Sequence, residues 1–366
     1  MEKEKNNRSS FSGKIGFVLS AAGASVGLGN IWRFPYLAAK YGGGIFLLIY
    51  ILLALTFGYT MIVAESALGR MTRKSPVGAF KAFGKKAGWL SFGGWINAII
   101  PVLIVPYYSV IGGWVIKYFV EYLKGNGAKL AEDGYFSNFI SNGLSTEICF
   151  IVFCMFTLII IYAGVRNGIE RVSKFMMPIL VVLSVIIAIY SVTRPGALAG
   201  VKYFLVPNPK NFSWMTVVTA MGQMFYSLSI AMGILVTFGS YMKKDTSIED
   251  STRNVEVFDT AIAIMAGLMI IPAVFAFSGG DPDTLQAGPS LMFITIPKVF
   301  DSMGFGTFAG ILFFLLVLFA AVTSSIALTE SAVSTVEDEL KWSRKKSTVI
   351  VGFIMIILGT LSCLGY

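Results

Sequence analysis

Nine runs of predominantly apolar residues, separated by short polar or charged stretches, set the plan of this sequence: approximately 13–37, 42–69, 89–122, 145–163, 168–191, 214–242, 255–278, 305–337 and 347–365. A helix needs about 20 apolar residues to cross the hydrocarbon core of a bilayer, so each run predicts one membrane-spanning helix. The longer runs leave room for tilt or for extension beyond the bilayer. Two connections, 192–213 and 279–304, are long. The second has its own apolar pattern (Pro289, Leu291, Met292, Ile294, Ile296, Val299, Phe300), which predicts a short helical hairpin against the bundle.

The first run does not read as an unbroken helix. Gly23-Ala24-Ser25-Val26-Gly27-Leu28-Gly29-Asn30-Ile31-Trp32-Arg33-Phe34-Pro35 places three glycines, an asparagine, an arginine and a proline within it. Such residues weaken a helix, and lipid has no water to satisfy freed backbone groups. An interruption there would present N–H groups to anions and carbonyls to cations, as transporter sites do. Gly23 and Gly27 also have the spacing of a small-residue helix crossing, and the segment alone leaves both readings open. A weaker interruption lies in the sixth run at Ser227-Leu228-Ser229-Ile230-Ala231-Met232-Gly233. Paired interruptions five runs apart point to inverted repeats with a site between them.

Composition agrees with a membrane protein. Of 366 residues, 55% are hydrophobic and only 13% charged, too apolar for a water-soluble domain of this length. Trp89, Trp95, Trp214, Tyr122 and Tyr203 lie near run ends, where interfacial aromatics belong. The polar stretch Met1 to Ser12 lacks the apolar core of a signal peptide, so none is expected to be removed. With the N-terminus inside, 20 Lys and Arg residues fall on the cytoplasmic side and 8 on the other, which predicts a multi-pass cell-membrane protein with a cytoplasmic N-terminus. The net charge of +9 therefore faces anionic lipid rather than nucleic acid.

Side-chain inventory narrows the chemistry. The absence of histidine excludes His-based zinc sites and Ser-His nucleophiles. Cys149, Cys154 and Cys363 sit in apolar runs with no obvious extracellular pairing. Of the charged residues in and around the runs, Arg33, Glu65, Asp259 and Glu330 are read as intramembrane, and they form no evident catalytic pair, so no enzyme is expected. Charge in a membrane is costly and tends to mark function. Arg33 reads as a gate residue or a snorkelling cation. Glu65 is expected to accept hydrogen bonds from the interrupted first span. Asp259 reads as a cation ligand or a partner of Arg253, and Glu330 as a solvated acid near the inner end of its span. Thr323-Ser324-Ser325, among small residues, reads either as local bonding to i−4 carbonyls or as part of a sodium site.

Taken together, Gly27-Leu28-Gly29-Asn30-Ile31-Trp32-Arg33-Phe34-Pro35 with Tyr41-Gly42-Gly43-Gly44 resembles the first-helix signature of the neurotransmitter:sodium symporters, in their bacterial amino-acid branch. The likeness continues through Glu65-Ser66-Ala67-Leu68-Gly69-Arg70, Pro106-Tyr107-Tyr108-Ser109, Gln223-Met224-Phe225-Tyr226-Ser227-Leu228-Ser229 and Thr323-Ser324-Ser325 with Glu337-Asp338-Glu339, over essentially the whole chain. It implies an all-α polytopic membrane protein: a LeuT-type bundle of five-plus-five inverted repeats, with broken helices 1 and 6. The first repeat would be about 13–191 and the second about 214–366, truncated after helix 9 where relatives have eleven or twelve spans.

The resemblance also implies roles for matching positions. One sodium ion would be held by the Gly23 and Val26 carbonyls with Ala320, Thr323 and Ser324. A second would use Ser25, Asn30, Ser227 and Asp259. A substrate carboxylate would meet the backbone around Gly27, Leu28 and Gly29, with the Tyr108 hydroxyl and Ser25 beside it. Ile104, Tyr226, Ser229, Met232 and Leu328 would line its side chain. Gly27 stands where monoamine carriers have an aspartate, so the substrate should bring its own carboxylate. That lining implies a neutral hydrophobic or aromatic L-amino acid. Asp259, with Ala263 one turn later, implies that chloride is not required. Arg8 and Asp338 match a cytoplasmic gating pair, with Phe11 and Tyr241 nearby, and Arg33 an outer gate. Gly168 and Pro178 have the spacing of a fifth helix that unwinds, or of a static kink. The expected function is sodium-coupled import by alternating access; because the tenth helix would supply the partner of Arg33, the alternative is a sodium- and amino-acid-binding membrane protein that does not transport.

Overall fold

The computed structural model describes residues 9–82, 89–279 and 288–365, and every regular element among them is helical. In chain order the main helices are α1 (Lys14–Ser25), α2 (Gly29–Lys40), α3 (Gly44–Thr72), α4 (Leu90–Leu123), α5 (Gly143–Tyr162), α6 (Val165–Val192), α7 (Trp214–Ser227), α8 (Ile234–Ser240), α9 (Ile248–Ser278), α10 (Ile296–Asp301), α11 (Gly306–Leu340) and α12 (Arg344–Leu364). Seven of these, α3, α4, α5, α6, α9, α11 and α12, are long and apolar enough to cross a membrane without interruption. The first and sixth runs are each divided, into α1 with α2 and α7 with α8.

The backbone gives the reasons for both divisions. α1 stops where Val26 turns extended (ψ 96°), and α2 leaves at 54° to it. α7 ends at Ser227, after which Ser229 (φ 56°), Ala231 (φ 62°) and Gly233 (φ 69°) are all left-handed. A non-glycine residue held there costs on the order of 1–3 kcal/mol and persists only where its surroundings hold it. Here a carboxylate does so: Glu65 Oε1 accepts the Ala231 N–H at 2.7 Å. Glu65 therefore serves the second interruption, not the first as its sequence position had implied. The N–H it satisfies is one that only the left-handed turn frees.

Helix ends deviate from the apolar runs where capping extends them. α9 begins at Ile248 because the Ser247 side chain accepts the Asp250 N–H. The segment after the undescribed 280–287 is a single short helix, a π-helical turn (Leu291–Thr295) running into α10; any further half of the expected hairpin lies outside the described residues. Phe293 inserts among Trp114, Tyr118 and Phe136, lying nearly parallel to the last ring (8°, centroids 5.2 Å apart). Tyr118 donates to its carbonyl at 2.8 Å. Outside the apolar spans, Lys298 bonds Asp133 and holds that carboxyl below its usual range.

Two glycines bring α3 and α8 into backbone contact. A Cβ on Gly69 would overlap the Val236 carbonyl, and one on Gly239 the Ser66 carbonyl. Small residues let helices approach this closely, and in lipid such packing carries much of the association. The segment before α1 is also tied down. Phe11 is buried among Phe17, Phe238 and Tyr241, and its N–H meets the Tyr241 carbonyl at 3.1 Å. Ser12 donates its N–H to Glu170 Oε2 at 2.8 Å. Glu170 closes a π-helical stretch, Val165–Glu170, that contains Gly168.

Candidate functional site

The two interruptions face each other across a small cavity. Its walls come from the first interruption (Ser25, Gly27, Leu28, Gly29), from α4 (Ile104, Tyr108), from the second interruption (Tyr226, Ser229, Met232) and from α11 (Leu328). All ten residues expected around a substrate line this one space. Ala24, Asn30, Ser227 and Ser324 complete it.

Part of the lining is polar. The Leu28 N–H donates to the Tyr108 hydroxyl oxygen at 3.2 Å, and the Gly27 N–H to Asn30 Oδ1 at 3.2 Å. Gly27 has no room for a side chain, since a Cβ would lie 2.6 Å from Ser324 Oγ and 3.0 Å from the Tyr108 hydroxyl. At Gly29 the Tyr226 ring occupies that space. Arg33 stands over the same ring, 5.1 Å from its centroid, and Nη1 donates to Gln223 Oε1 at 3.2 Å. Ile104, Met232 and Leu328 give the lining its apolar part.

Two oxygen-rich groupings flank the cavity. In the first, Asp259 is fully buried. It accepts Asn30 Nδ2 at 2.8 Å, the Ser227 hydroxyl at 2.9 and 3.0 Å, and the Tyr50 hydroxyl at 3.3 Å. Arg253 is exposed to solvent, so the ion-pair reading of Asp259 gives way to this polar shell. In the second, the Ser324 hydroxyl lies within reach of three carbonyls of the first interruption: Gly23 at 3.3 Å, Ala24 at 3.2 Å and Val26 at 3.3 Å. Thr323, by contrast, makes the local bonds, to Phe319 at 2.9 Å and Ala320 at 3.2 Å, although its Cβ stands 3.1 Å from where a Gly23 side chain would begin. The hydroxyl triplet thus divides between the two readings. The Ser25 hydroxyl turns back to the Ala21 carbonyl at 3.2 Å. Among the described residues no cluster of three or more His, Cys, Asp or Glu exists, so a cation here would be met by hydroxyls and carbonyls, with Asp259 as the one carboxylate.

At the inner end, Glu330 is fully buried rather than solvated. Arg344 clasps it with two bonds, at 2.9 and 2.6 Å, and the Tyr241 hydroxyl donates to it at 2.6 Å. The arginine comes from the start of α12, after the chain reverses. Arg344 also caps the end of α5 by donating to the Ile161 carbonyl at 3.1 Å. Asp338 accepts the Ser75 N–H at 2.6 Å, while its expected partner Arg8 lies outside the described residues. Two participants went unnoticed in the sequence: the Ala24 carbonyl, which receives both Ser229 and Ser324, and Glu170, which holds Ser12. A backbone acceptor has no sequence signal. Glu170, next to two basic residues of its own neighbourhood, Arg166 and Arg171, resembles any helix-end charge.

A family model described as the sodium:neurotransmitter symporter family matches residues 8–130 and 137–365. An uncharacterized sodium-dependent transporter of Bacillus subtilis is 37% identical over 359 residues, covering 97% of this chain and 78% of that one. A second, from Haemophilus influenzae, is 32% identical over 99% of this chain and 81% of its own length. The sodium- and chloride-dependent glycine transporter 2 of Xenopus laevis is 28% identical over 92% of this chain and 52% of its own. Among solved structures, that of MhsT in complex with L-phenylalanine superposes with a TM-score of 0.88 at 36% identity, over 98% of this chain and 81% of that one.

Proposed function

The chain belongs to the sodium:neurotransmitter symporter family, and from that premise we propose that it imports a neutral hydrophobic or aromatic L-amino acid across the cell membrane, driven by sodium entering with it. It is a transporter and not an enzyme. The observation that carries the substrate reading is the polarity of the cavity. Main-chain N–H groups of Gly27 and Leu28 and the Tyr108 hydroxyl share the lining with Ile104, Met232 and Leu328, and no charged side chain is among the described residues that line it. Main-chain N–H groups at a helix interruption suit a carboxylate, and apolar walls suit an uncharged side chain. MhsT, bound to L-phenylalanine, supports an aromatic member of that class.

Two sodium ions fit the two oxygen groupings. One would sit among the carbonyls of Gly23 and Val26, the α11 carbonyl of Ala320, and the hydroxyls of Thr323 and Ser324. The other would sit with the Ser25 carbonyl, Asn30, Ser227 and Asp259. Turning the Asn30 amide over would present its oxygen to that ion in place of the Nδ2 that now faces Asp259 and Ser227. The fixed charge of Asp259 supplies the anion that chloride provides elsewhere, so chloride is not needed. The interruptions correspond in two inverted repeats, about 13–191 and 214–366, with the N-terminus cytoplasmic. Arg33 would close the outer path, and Tyr241, Asp338 and Arg8 the inner one.

The test is uptake by proteoliposomes of labelled phenylalanine, leucine and alanine under an inward sodium gradient. Accumulation that collapses when choline replaces sodium is expected. Sodium-dependent binding with no accumulation would instead mark a binding protein. Equal uptake without sodium would refute the coupling.

A further inference from the structure

Two adjoining hollows lie on the surface where α3 meets the link between α8 and α9, and both are lined by Arg70 and Lys244. On the α3 side the lining is apolar. Ala64, Ala67, Leu68 and Met71 are spaced i, i+3, i+4 and i+7, so they form one stripe down the helix. Two of the four are alanines, which makes the stripe a trough rather than a ridge, and Met71 at its end is 66% exposed. On the link side the lining is charged, with Asp245 and Glu249 beside the two cations. Arg70 is held in position because Nη1 donates to the Thr246 carbonyl. Arg73 ties down the same link through the Met242 carbonyl at 2.5 Å. A guanidinium has five N–H donors, so the bond to Thr246 leaves Arg70 able to meet a further acceptor.

α3 has 29 residues, more than the hydrocarbon core requires, and the charges gathered at its Thr72 end mark where it enters the headgroup layer. We propose that this groove seats a phospholipid with an aminoethyl phosphate headgroup: an acyl chain lies along the apolar stripe, Arg70 and Lys244 meet the phosphate, and Asp245 and Glu249 meet the primary ammonium. Charge complementarity makes the choice. Two cations alone would suit any anionic headgroup, but the two carboxylates in the same lining repel one that carries net negative charge. A zwitterion answers both signs. A quaternary amine has the positive charge but no N–H to donate to a carboxylate. A soluble anion such as free phosphate would leave the apolar stripe uncovered.

The proposal needs the chain to sit in a membrane but not to transport, so it stands apart from the import reading. The purified full chain, stripped of lipid in mild detergent, is given dioleoyl phosphatidylethanolamine, phosphatidylcholine or phosphatidylglycerol, and the lipid it retains is counted by native mass spectrometry. Exposed ion pairs shift an equilibrium by roughly two- to fivefold, so the ethanolamine lipid should be retained about that much better than either of the others. Lys244→Gln should lower its retention by a similar factor. Asp245→Asn combined with Glu249→Gln should abolish the preference and raise retention of phosphatidylglycerol, a gain that misfolding cannot produce. Equal retention of the three lipids by the unaltered chain, a preference for phosphatidylglycerol, or a double variant that still prefers the ethanolamine lipid would overturn the proposal. A dimeric mass that Met71→Glu converts to monomer would make a second copy of the chain the occupant, and would overturn it as well.

Discussion

Replacing Gly27 by alanine should damage the proposed sodium grouping through a methyl that touches no ion. The added Cβ would lie 2.6 Å from Ser324 Oγ, where ordinary contact starts at 3.4 Å. Ser324 cannot yield without cost, because its hydroxyl is placed against the Gly23, Ala24 and Val26 carbonyls. Overpacking of this kind costs about 1–3 kcal/mol, which corresponds to roughly 5- to 150-fold in apparent affinity. Ser324→Ala removes the hydroxyl and with it about 0.5–1.5 kcal/mol of hydrogen bonding. If the two losses were independent they would add. They share one atom, so the double variant should recover part of the Gly27→Ala loss; the contact with Tyr108 at 3.0 Å keeps the recovery incomplete. Sodium titrations of labelled phenylalanine binding, by scintillation proximity on purified protein, complete the double-mutant cycle. A double variant as weak as both losses combined, or a Gly27→Ala protein that titrates like the parent, would refute the geometry.

Three further outcomes follow from the same structure. Asp259→Asn, which removes the one carboxylate of the first grouping, should lower sodium-driven uptake or make it respond to chloride; unchanged uptake in chloride-free buffer would count against the assigned charge. Arg344→Ala leaves Glu330 buried without its partner, a loss of about 3–5 kcal/mol, so the melting transition in detergent should fall by several degrees, with Glu330→Gln added in cis restoring part of it. Gly69→Ala forces apart α3 and α8 at the Val236 carbonyl, a cost of about 1–3 kcal/mol, and should broaden the size-exclusion profile; a monodisperse, fully active protein would show that the helices can separate freely.

The membrane plan was open to a reader of the sequence because apolar run length is a direct physical requirement of the bilayer. The first interruption was equally open, through the density of glycine around Asn30 and the proline that follows. The second was not. Ser229 and Ala231 adopt left-handed backbone that neither residue favours, and only the distant Glu65 explains why they hold it. Glu330 was misjudged for a related reason: its partner Arg344 is brought over it by a chain reversal, and span-by-span reading cannot foresee that closure. The π-helical turns at Ala54–Gly58 and Val165–Glu170 left no mark in composition, since an extra residue per turn needs no special side chain. The ten cavity residues could be named in advance only through resemblance, as no periodicity brings Ile104 next to Met232.

Where Gly69 and Gly239 let two peptide chains touch, there is no layer of side chains to act as a lubricant. α3 and α8 must therefore travel together, whatever else rearranges while cargo passes. Fluorophores on those two segments should keep a constant separation throughout turnover, which makes the pair an internal ruler against which the motion of every other helix could be measured.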